Sequence, residues 1–261
     1  MRPASLLSSE EARSLRGVLF DLDDTVLTTG RLTLEAYAAI WNLHDAGLDL
    51  VAVTGRLSAW GALLARQWPL AGCVTENGAL YVVREGAGVS IRDTQDETAR
   101  RGRQAKLAML VEHVREVVPE ARLADDNDGR RSDVAWDIGE RVRLSHERVR
   151  RIETEIEAAG ARSTRSSVHL HATFDSDDKA SGALAFCGRE LGCDPTSALA
   201  RFAFVGDSAN DATCFNAFRT TFGVANVRAH LGGLTMPPRY VSALPMGAGF
   251  AEIAREILSK R

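Results

Sequence analysis

Cysteine is scarce in this chain, with four among 261 residues, at positions 73, 187, 193 and 214. No two form a C-x-x-C pair, so neither a structural zinc site nor a disulfide framework is expected, and the thiols read as reduced and buried. Long hydrophobic runs are missing too. Nothing approaches the roughly 18 consecutive apolar residues of a membrane-spanning helix. The opening segment, Met1 to Arg16, lacks the apolar stretch of a secretory signal and reads as a short helix, with Ser8 and Glu11 at capping-box spacing. Neither sign of charge dominates. Thirty-two Lys and Arg face 35 Asp and Glu, a net charge of −3, which argues against a dedicated nucleic-acid or anionic-membrane surface. The expectation is a cytoplasmic protein, monomer or homodimer, with no nucleic-acid or membrane partner.

What is present is ordinary globular composition: 45% hydrophobic and 26% charged residues, which excludes whole-chain disorder. Gly17-Val-Leu-Phe-Asp21 is a short apolar run that breaks off in acids, the pattern of a buried parallel strand whose carboxyl end carries function. Leu34, Tyr37, Ala38 and Trp41 follow helical spacing, and a second strand, Leu48 to Val53, ends at Thr54-Gly55-Arg56. This is a βαβ unit. A helix over 57–67 stops at Trp68-Pro69, and two short strands flank Glu76-Asn77-Gly78, which reads as a hairpin turn. From about Arg84 to Ser176 charge becomes dense. Candidate strands Asp133–Ile138 and Ser167–Thr173 alternate there with helices over 99–117 and 145–159. The parallel pattern then resumes with a helix from Ala180, a strand Arg201–Gly206 ending in Asp207, a strand Thr221–Val224 and a closing helix near Phe250–Leu258. The fold class is α/β, a doubly wound, mostly parallel core from residues 1–83 and 177–261, with an α+β insert over 84–176.

Ligands of doubly wound sheets sit beyond the carboxyl ends of the strands. Three expected strands end in polar motifs: Asp21-Leu-Asp23-Asp24-Thr25, Thr54-Gly55-Arg56, and Gly206-Asp207-Ser-Ala-Asn210-Asp211. Carboxylates gathered there would repel one another without a cation, and oxygen-only ligands suit Mg²⁺, which in turn suits a phosphate. Asp21 and Asp23, one residue apart, would face the same side, one to attack phosphorus and the other to handle protons. Thr54 and the amides after it can hydrogen-bond phosphate oxygens, and Lys179 can neutralise charge on the transferring group. Asp207 would complete the metal site, with Asp211 a ligand or an orienter of one.

FDLDDT, VTGR, DDKASG and FVGDSAND together resemble the four ordered motifs of the haloacid dehalogenase-like hydrolase superfamily, from about Gly17 to the chain's end. The insert resembles the C2-type cap of its Cof-like subgroup, which includes sugar-phosphate phosphatases. The resemblance implies a phosphatase using Mg²⁺ on a small phosphorylated metabolite of the sugar-phosphate kind. By it Asp21 is the nucleophile that forms an aspartyl-phosphate. Asp23 serves as acid and base and lends its backbone carbonyl to the metal. Thr54, Gly55, Arg56, Lys179 and Asn210 fall on phosphate or substrate positions, and Asp207 and Asp211 on the metal side. Lys-Ala-Ser-Gly replaces the common Lys-Gly, and position 24 is Asp where many relatives have Gly. A phosphomutase on the same scaffold is the alternative, though the short Asp207–Asp211 segment resembles the phosphatase pattern. An idle binding module is the other, against which stand Asp21, Asp23, Lys179 and Asp207.

Core and insert offer further candidates with plain alternatives. Arg56 contacts substrate or pairs with an acid. Thr25 orients the Asp21 loop. His169 and His171 share one strand face and read as sheet residues rather than metal ligands. Arg130-Arg131-Ser132 meets an anion across the interface or forms a solvated loop. Trp136 could stack on a sugar, but its strand spacing between Val134 and Ile138 leaves its location open, and the Arg-rich stretches 100–103 and 148–151 read as solvated helix faces.

Overall fold

The computed structural model describes residues 1–166 and 168–261. Nine strands make the main sheet, in the spatial order Arg2–Pro3, Tyr240–Val241, Thr220–Gly223, Phe202–Gly206, Gly17–Phe20, Asp49–Val53, Gly72–Thr75, Leu80–Glu85, Gly88–Asp93. All neighbours are parallel except the last two pairs. Period-two alternation divides each central strand between two layers. Val18, Phe20, Leu50 and Ala52 face the layer of the Leu34–Asp45 and Met246–Leu258 helices. Leu19, Val51, Val53 and Phe204 face the layer holding the Lys179–Leu191 helix. Both faces being covered explains the unbroken apolar runs in the sequence.

Gly17–Phe20 lies at the centre, and the chain leaves it toward Asp49–Val53 on one side and returns as Phe202–Gly206 on the other. The three strands expected to carry the polar motifs are therefore neighbours, at the point where strand order reverses. Ligand sites of such sheets form there.

The sheet runs further than expected. Leu80–Glu85 and Gly88–Asp93 pair antiparallel as a hairpin of the main sheet, so the departure of the chain falls after Asp93 rather than at Arg84. Charge rises from Arg84 because this is an edge, where Val89 and Ile91 pack on the core while Arg92 faces outward and pairs with Glu85 and Glu190.

Residues beyond Asp93 build a second, antiparallel sheet in the order Arg162–Arg165, His169–Thr173, Asp133–Asp137, Arg122–Leu123. Its long helices, Glu97–Val117 and His146–Ala158, pack on one face against Val134, Trp136, Ile138, Leu170 and Ala172. Trp136 is thus a core residue of the cap, turned away from any substrate. The opposite face carries Asp133, Asp137, His169, His171 and Thr173, all buried. The expected strand from Ser167 begins at His169, and Ser167 lies outside the described residues.

Two chain crossings join the sheets, and both are tied down. Arg100 donates to Asp93, at the end of the core hairpin, and to Asp175, just past the cap strand; Arg103 also pairs with Asp175. Arg100 is only 5% exposed, which corrects the reading of 100–103 as a solvated face: a buried carboxylate must be matched by a buried cation. Arg148 and Arg151 do lie on a solvated face, paired with Glu120 and Glu155.

One glycine holds the site elements in place. Gly78 has φ +113°, and a Cβ there would stand 2.1 Å from the carbonyl oxygen of Asp178, the residue before Lys179. Gly78→Ala should destabilise the protein by at least about 2 kcal/mol through strain and clash together. Gly86→Ala, with φ +56° and open space around its Cβ, should cost about 1 kcal/mol from strain alone. Urea denaturation of both variants checks the ordering, and equal losses would refute the close-approach argument.

Candidate active site

The carboxyl ends of three adjacent strands deliver Asp207, Asp21 and Thr54 to one place. Lys179 enters from the first turn of its helix. Asp178 caps that helix by accepting from the Ser181 amide at 2.8 Å, while its own amide donates to Ser181 Oγ at 2.9 Å. This box explains the departure at Lys-Ala-Ser-Gly: Ser181 closes the cap, and Gly182 gives the room that packing against Gly78 requires.

Lys179 Nζ donates to Asp21 Oδ1 at 2.6 Å and to Asp211 Oδ1 at 2.7 Å, with all three side chains buried. The other oxygen of Asp211 accepts the backbone amides of Asp207 and Ser208 at 2.9 and 3.1 Å. Both Asp211 oxygens are therefore engaged, one by Lys179 and the other by the amides of its own loop. Asp207 accepts from Thr25 Oγ1 at 3.1 Å and Asn226 Nδ2 at 3.0 Å. Thr25 thus steadies the partner loop rather than only its own. Asp24, where many relatives have glycine, has φ +55°, a left-handed conformation that Asp tolerates better than most residues. Asn210 accepts from Ser208 Oγ at 2.8 Å, and Thr54 Oγ1 accepts from the Arg56 amide at 3.1 Å.

The electrostatics follow from burial. Loss of water pushes the Asp21 carboxyl up to about 7 against the pull of Lys179, and Asp207 well above its ordinary range, with Asp211 and Asp21 adding to the rise. Burial alone would drive the Lys179 ammonium down, but Asp21 and Asp211 outweigh it and hold it charged. One ammonium against three buried carboxylates leaves negative charge unbalanced. Asp21, Asp207 and Asp211 each offer an oxygen within 4.8 Å of the others. That donor set, all hard oxygen, fits a divalent cation of the hard class.

Asp23 stands in a different environment. Its carboxylate is outside the Asp21–Asp207–Asp211 group and is gripped by Arg56, with Nε to Oδ2 at 2.9 Å and Nη2 to Oδ1 at 2.6 Å. Arg56 is itself fixed by stacking over Trp60, 4.3 Å from the ring centre. Arg56 thus pairs with an acid, the expected proton carrier, and also lines the cleft beside it.

Several residues here escaped the sequence reading. Asn226 lies just past Thr220–Gly223, the next strand outward, so the strand-end rule that found Asp207 extends to it. Glu76 sits in the Asn77-Gly78 connection, which is a hairpin turn and also borders the site. Glu76 Oε2 accepts from the Arg131 and Ser132 amides at 2.9 and 2.7 Å and from Ser132 Oγ at 2.8 Å. Arg130 Nη1 donates to the carbonyl of Gly55 at 2.9 Å and to Asp133 at 3.0 Å. Arg130 and Ser132 are accordingly buried in a clasp between cap and core, while the Arg131 side chain is exposed and only its amide takes part.

No family model matches the chain. It is similar to the phosphoglycolate phosphatase of Methanothermobacter thermautotrophicus, 25% identical over 246 residues that span 94% of this chain and 99% of that one. Among solved structures, the trehalose-6-phosphate phosphatase C-terminal domain of C. albicans superposes with a TM-score of 0.72 at 11% identity, covering 99% of this chain and 98% of that chain. A haloacid dehalogenase-like hydrolase from Bacteroides thetaiotaomicron gives 0.64 at 14% identity, covering 93% and 99%. These likenesses extend over core and cap together.

Glu76 yields a test of the clasp. Burial first, then Asp133, pushes its carboxyl up to about 7 against the three hydrogen bonds it accepts, and Oε1 has no partner among the described residues. A folded-state value above the unfolded one means stability is fully present below the unfolded value and is lost as pH rises through about 7. Glu76→Gln keeps an acceptor for the three donors and removes the titration. Between pH 5 and 8 the wild type should lose up to about 3 kcal/mol relative to this variant. Urea denaturation across that range measures it, and parallel pH profiles would refute the assignment.

Proposed function

We propose that the chain is a haloacid dehalogenase-like hydrolase, a reading supported by the likeness of its fold to such a structure and by the order of its four motifs, and that it is a Mg²⁺-dependent phosphatase of a small phosphorylated metabolite, of the sugar-phosphate kind. The observation that carries this reading is the ion pair of buried Lys179 with Asp21 at the end of the central strand, beside Asp207 and Thr54. Asp21 Oδ attacks phosphorus and the bond to the ester oxygen breaks. Asp23 protonates that oxygen as it leaves. Asp23 then takes a proton from the water that attacks the aspartyl-phosphate, which releases inorganic phosphate and restores Asp21. Thr54, the Gly55 amide and Lys179 hold the phosphoryl oxygens while charge shifts among them. Asp21, Asp207 and the backbone carbonyl of Asp23 would hold the cation, and Asp211 positions Asp207 and Lys179. When bound, Mg²⁺ offsets the charge of the carboxylates and of the phosphoryl group.

Two differently built carboxylates support the division of labour. Asp21 is buried against an ammonium, and Asp23 is steered by the fork of Arg56 at the mouth of a wider cleft. That cleft, about 470 Å³, runs from Asp23 and Arg56 to Glu140, Arg143, His146 and Arg165 of the cap. Its charged lining suits a hydroxylated or anionic leaving group more than an apolar one.

Asp21→Asn should lower kcat for p-nitrophenyl phosphate by at least about a thousandfold with the fold intact. Asp207→Ala should raise the Mg²⁺ concentration for half-maximal activity, and chelation should abolish wild-type turnover reversibly. Steady-state kinetics over a Mg²⁺ titration measures all three; full activity without metal would sink the reading. Arg143→Ala or Arg165→Ala should reduce kcat/KM for the best sugar phosphate more than for the aryl phosphate, about tenfold in ratio. An unchanged ratio in both variants would remove the cleft from substrate selection.

A further inference from the structure

One exposed loop of the cap is tied down by a buried acid. Asp137, 5% exposed, ends the strand Asp133–Asp137, and its carboxylate accepts four successive backbone amides. Oδ1 takes those of Gly139 and Glu140 at 3.0 and 2.8 Å, and Oδ2 those of Arg141 and Val142 at 2.9 and 3.1 Å. Burial pushes this carboxyl up, but the amides outweigh it and hold it below its ordinary range. A carboxylate has about four lone-pair sites, so its whole accepting capacity goes to fixing the backbone from Gly139 to Val142.

Directly across the cap sheet from Asp137 stands His169, also buried. Its Nε2 lies 2.9 Å from Glu140 Oε2, and because a carboxylate only accepts, Nε2 carries the hydrogen. Two neighbouring residues of one sheet thus hold Glu140 twice, Asp137 by its amide and His169 by its side chain. Among the described residues, Glu140 Oε1 has no partner.

Glu140 lines the wide cleft whose mouth holds Asp23 and Arg56, and its charge is felt at Arg56. Three carboxylates, Asp23, Asp24 and Glu140, share that cleft with three guanidiniums, Arg56, Arg143 and Arg165, beside His146. An anionic leaving group would find no large excess of positive charge there. A hydroxyl gives its hydrogen to a carboxylate while accepting one from a guanidinium, so this mixed lining matches a neutral group with several hydroxyls.

We propose that Glu140 is a specificity-determining residue of the cap, whose Oε1 accepts a hydroxyl hydrogen of the leaving group, and that Asp137 and His169 are the positioning residues that hold it for this contact. This rests on the phosphatase reading above and narrows it: the leaving group is neutral and polyhydroxylated rather than anionic. Holding Glu140 in advance spares the substrate the cost of ordering an exposed, rotamer-rich side chain.

The test uses the whole chain, with Mg²⁺, and three esters: p-nitrophenyl phosphate, the best substrate of a hexose phosphate panel, and phosphoglycolate, whose leaving group carries a carboxylate. Glu140→Ala should lower kcat/KM for the hexose phosphate about tenfold or more, as expected for losing a hydrogen bond to a charged group. Hydrolysis of the aryl ester should stay near the wild-type value, and that of phosphoglycolate should rise, because a repelling carboxylate has been removed. His169→Leu should reproduce part of the hexose phosphate loss, and His169→Gln, which keeps an N–H donor, should restore it. Asp137→Asn turns an N–H group toward amides that need an acceptor, and should also lose on the hexose phosphate more than on the aryl ester. Combined with Glu140→Ala it should lose less than the product of the two single effects. Circular dichroism melts establish which variants are folded, and Glu140→Ala, at an exposed position, carries the test if Asp137→Asn does not fold. A folded Glu140→Ala with an unchanged ratio of hexose phosphate to aryl phosphate hydrolysis would overturn the proposal. So would wild-type protein that prefers phosphoglycolate to every hexose phosphate. A fully multiplicative double variant would remove Asp137 from the positioning role. Failure of the underlying reading looks different: wild-type protein that hydrolyses none of the three esters.

Discussion

The ammonium of Lys179, shared between Asp21 and Asp211 beside a third buried carboxylate, Asp207, is the interaction from which much of the surrounding structure follows. Carboxylates gathered at strand ends have lost most of their water, and one lysine cannot balance them. The fold meets the deficit with dipoles. Backbone amides of Asp207 and Ser208 point at Asp211, while Thr25 and Asn226 donate to Asp207. Each donor comes from a different loop at the carboxyl edge of the sheet, so the charge problem and the convergence of the loops have one solution. The same imbalance leaves a place for a hard cation and for an incoming phosphate to be counted together rather than separately.

The junction of cap and core repeats this logic at smaller scale. Glu76 is met by two amides and a hydroxyl of the cap, Arg130 by a core carbonyl and two cap carboxylates, and Arg100 by an acid from each chain crossing. These contacts are polar and directional, unlike the apolar layers within each sheet. An interface built this way can part at modest cost, since its groups regain water when it opens. Under the proposed function, admission of substrate to an enclosed site would require such an opening.

How much of this was legible in the sequence depends on which physical signal each part leaves. Parallel strands buried on both faces read as continuous apolar runs, so acids and Thr54 at their ends stood out against them. The cap sheet leaves a weaker trace. Asp133–Asp137 and His169–Thr173 are buried at every position, one face by helices and the other by the core, so alternation could not say which face Trp136 or His171 occupied. Arg100 was hidden by its neighbours: it lies in a basic helix whose other arginines face water, and only Asp93 and Asp175, distant in sequence, show its role. The antiparallel hairpin ending at Asp93 read as insert because an edge strand with one wet face resembles a small-domain strand more than a core one.

Backbone strain is concentrated where the function is proposed to lie. Among the described residues five other than glycine have positive φ: Asp24 and Thr29 line the wide cleft, Asn77 lies beside Lys179, and Glu76 adjoins Asn77. Each such residue costs of order 1 kcal/mol and persists only when its surroundings over-determine it. For Asp24 the surroundings are the Asn226 amide, which donates to its carbonyl while also holding Asp207. For Glu76 they are the three cap donors, and for Asn77 the close approach of Gly78 to the start of the Lys179 helix. Relaxing any of the three would move a loop that carries Asp21 and Asp23, the cap clasp, or Lys179. The strain is therefore the local cost of bringing separate strand ends, a helix start and a cap to a single point, and its location marks that point independently of the motifs.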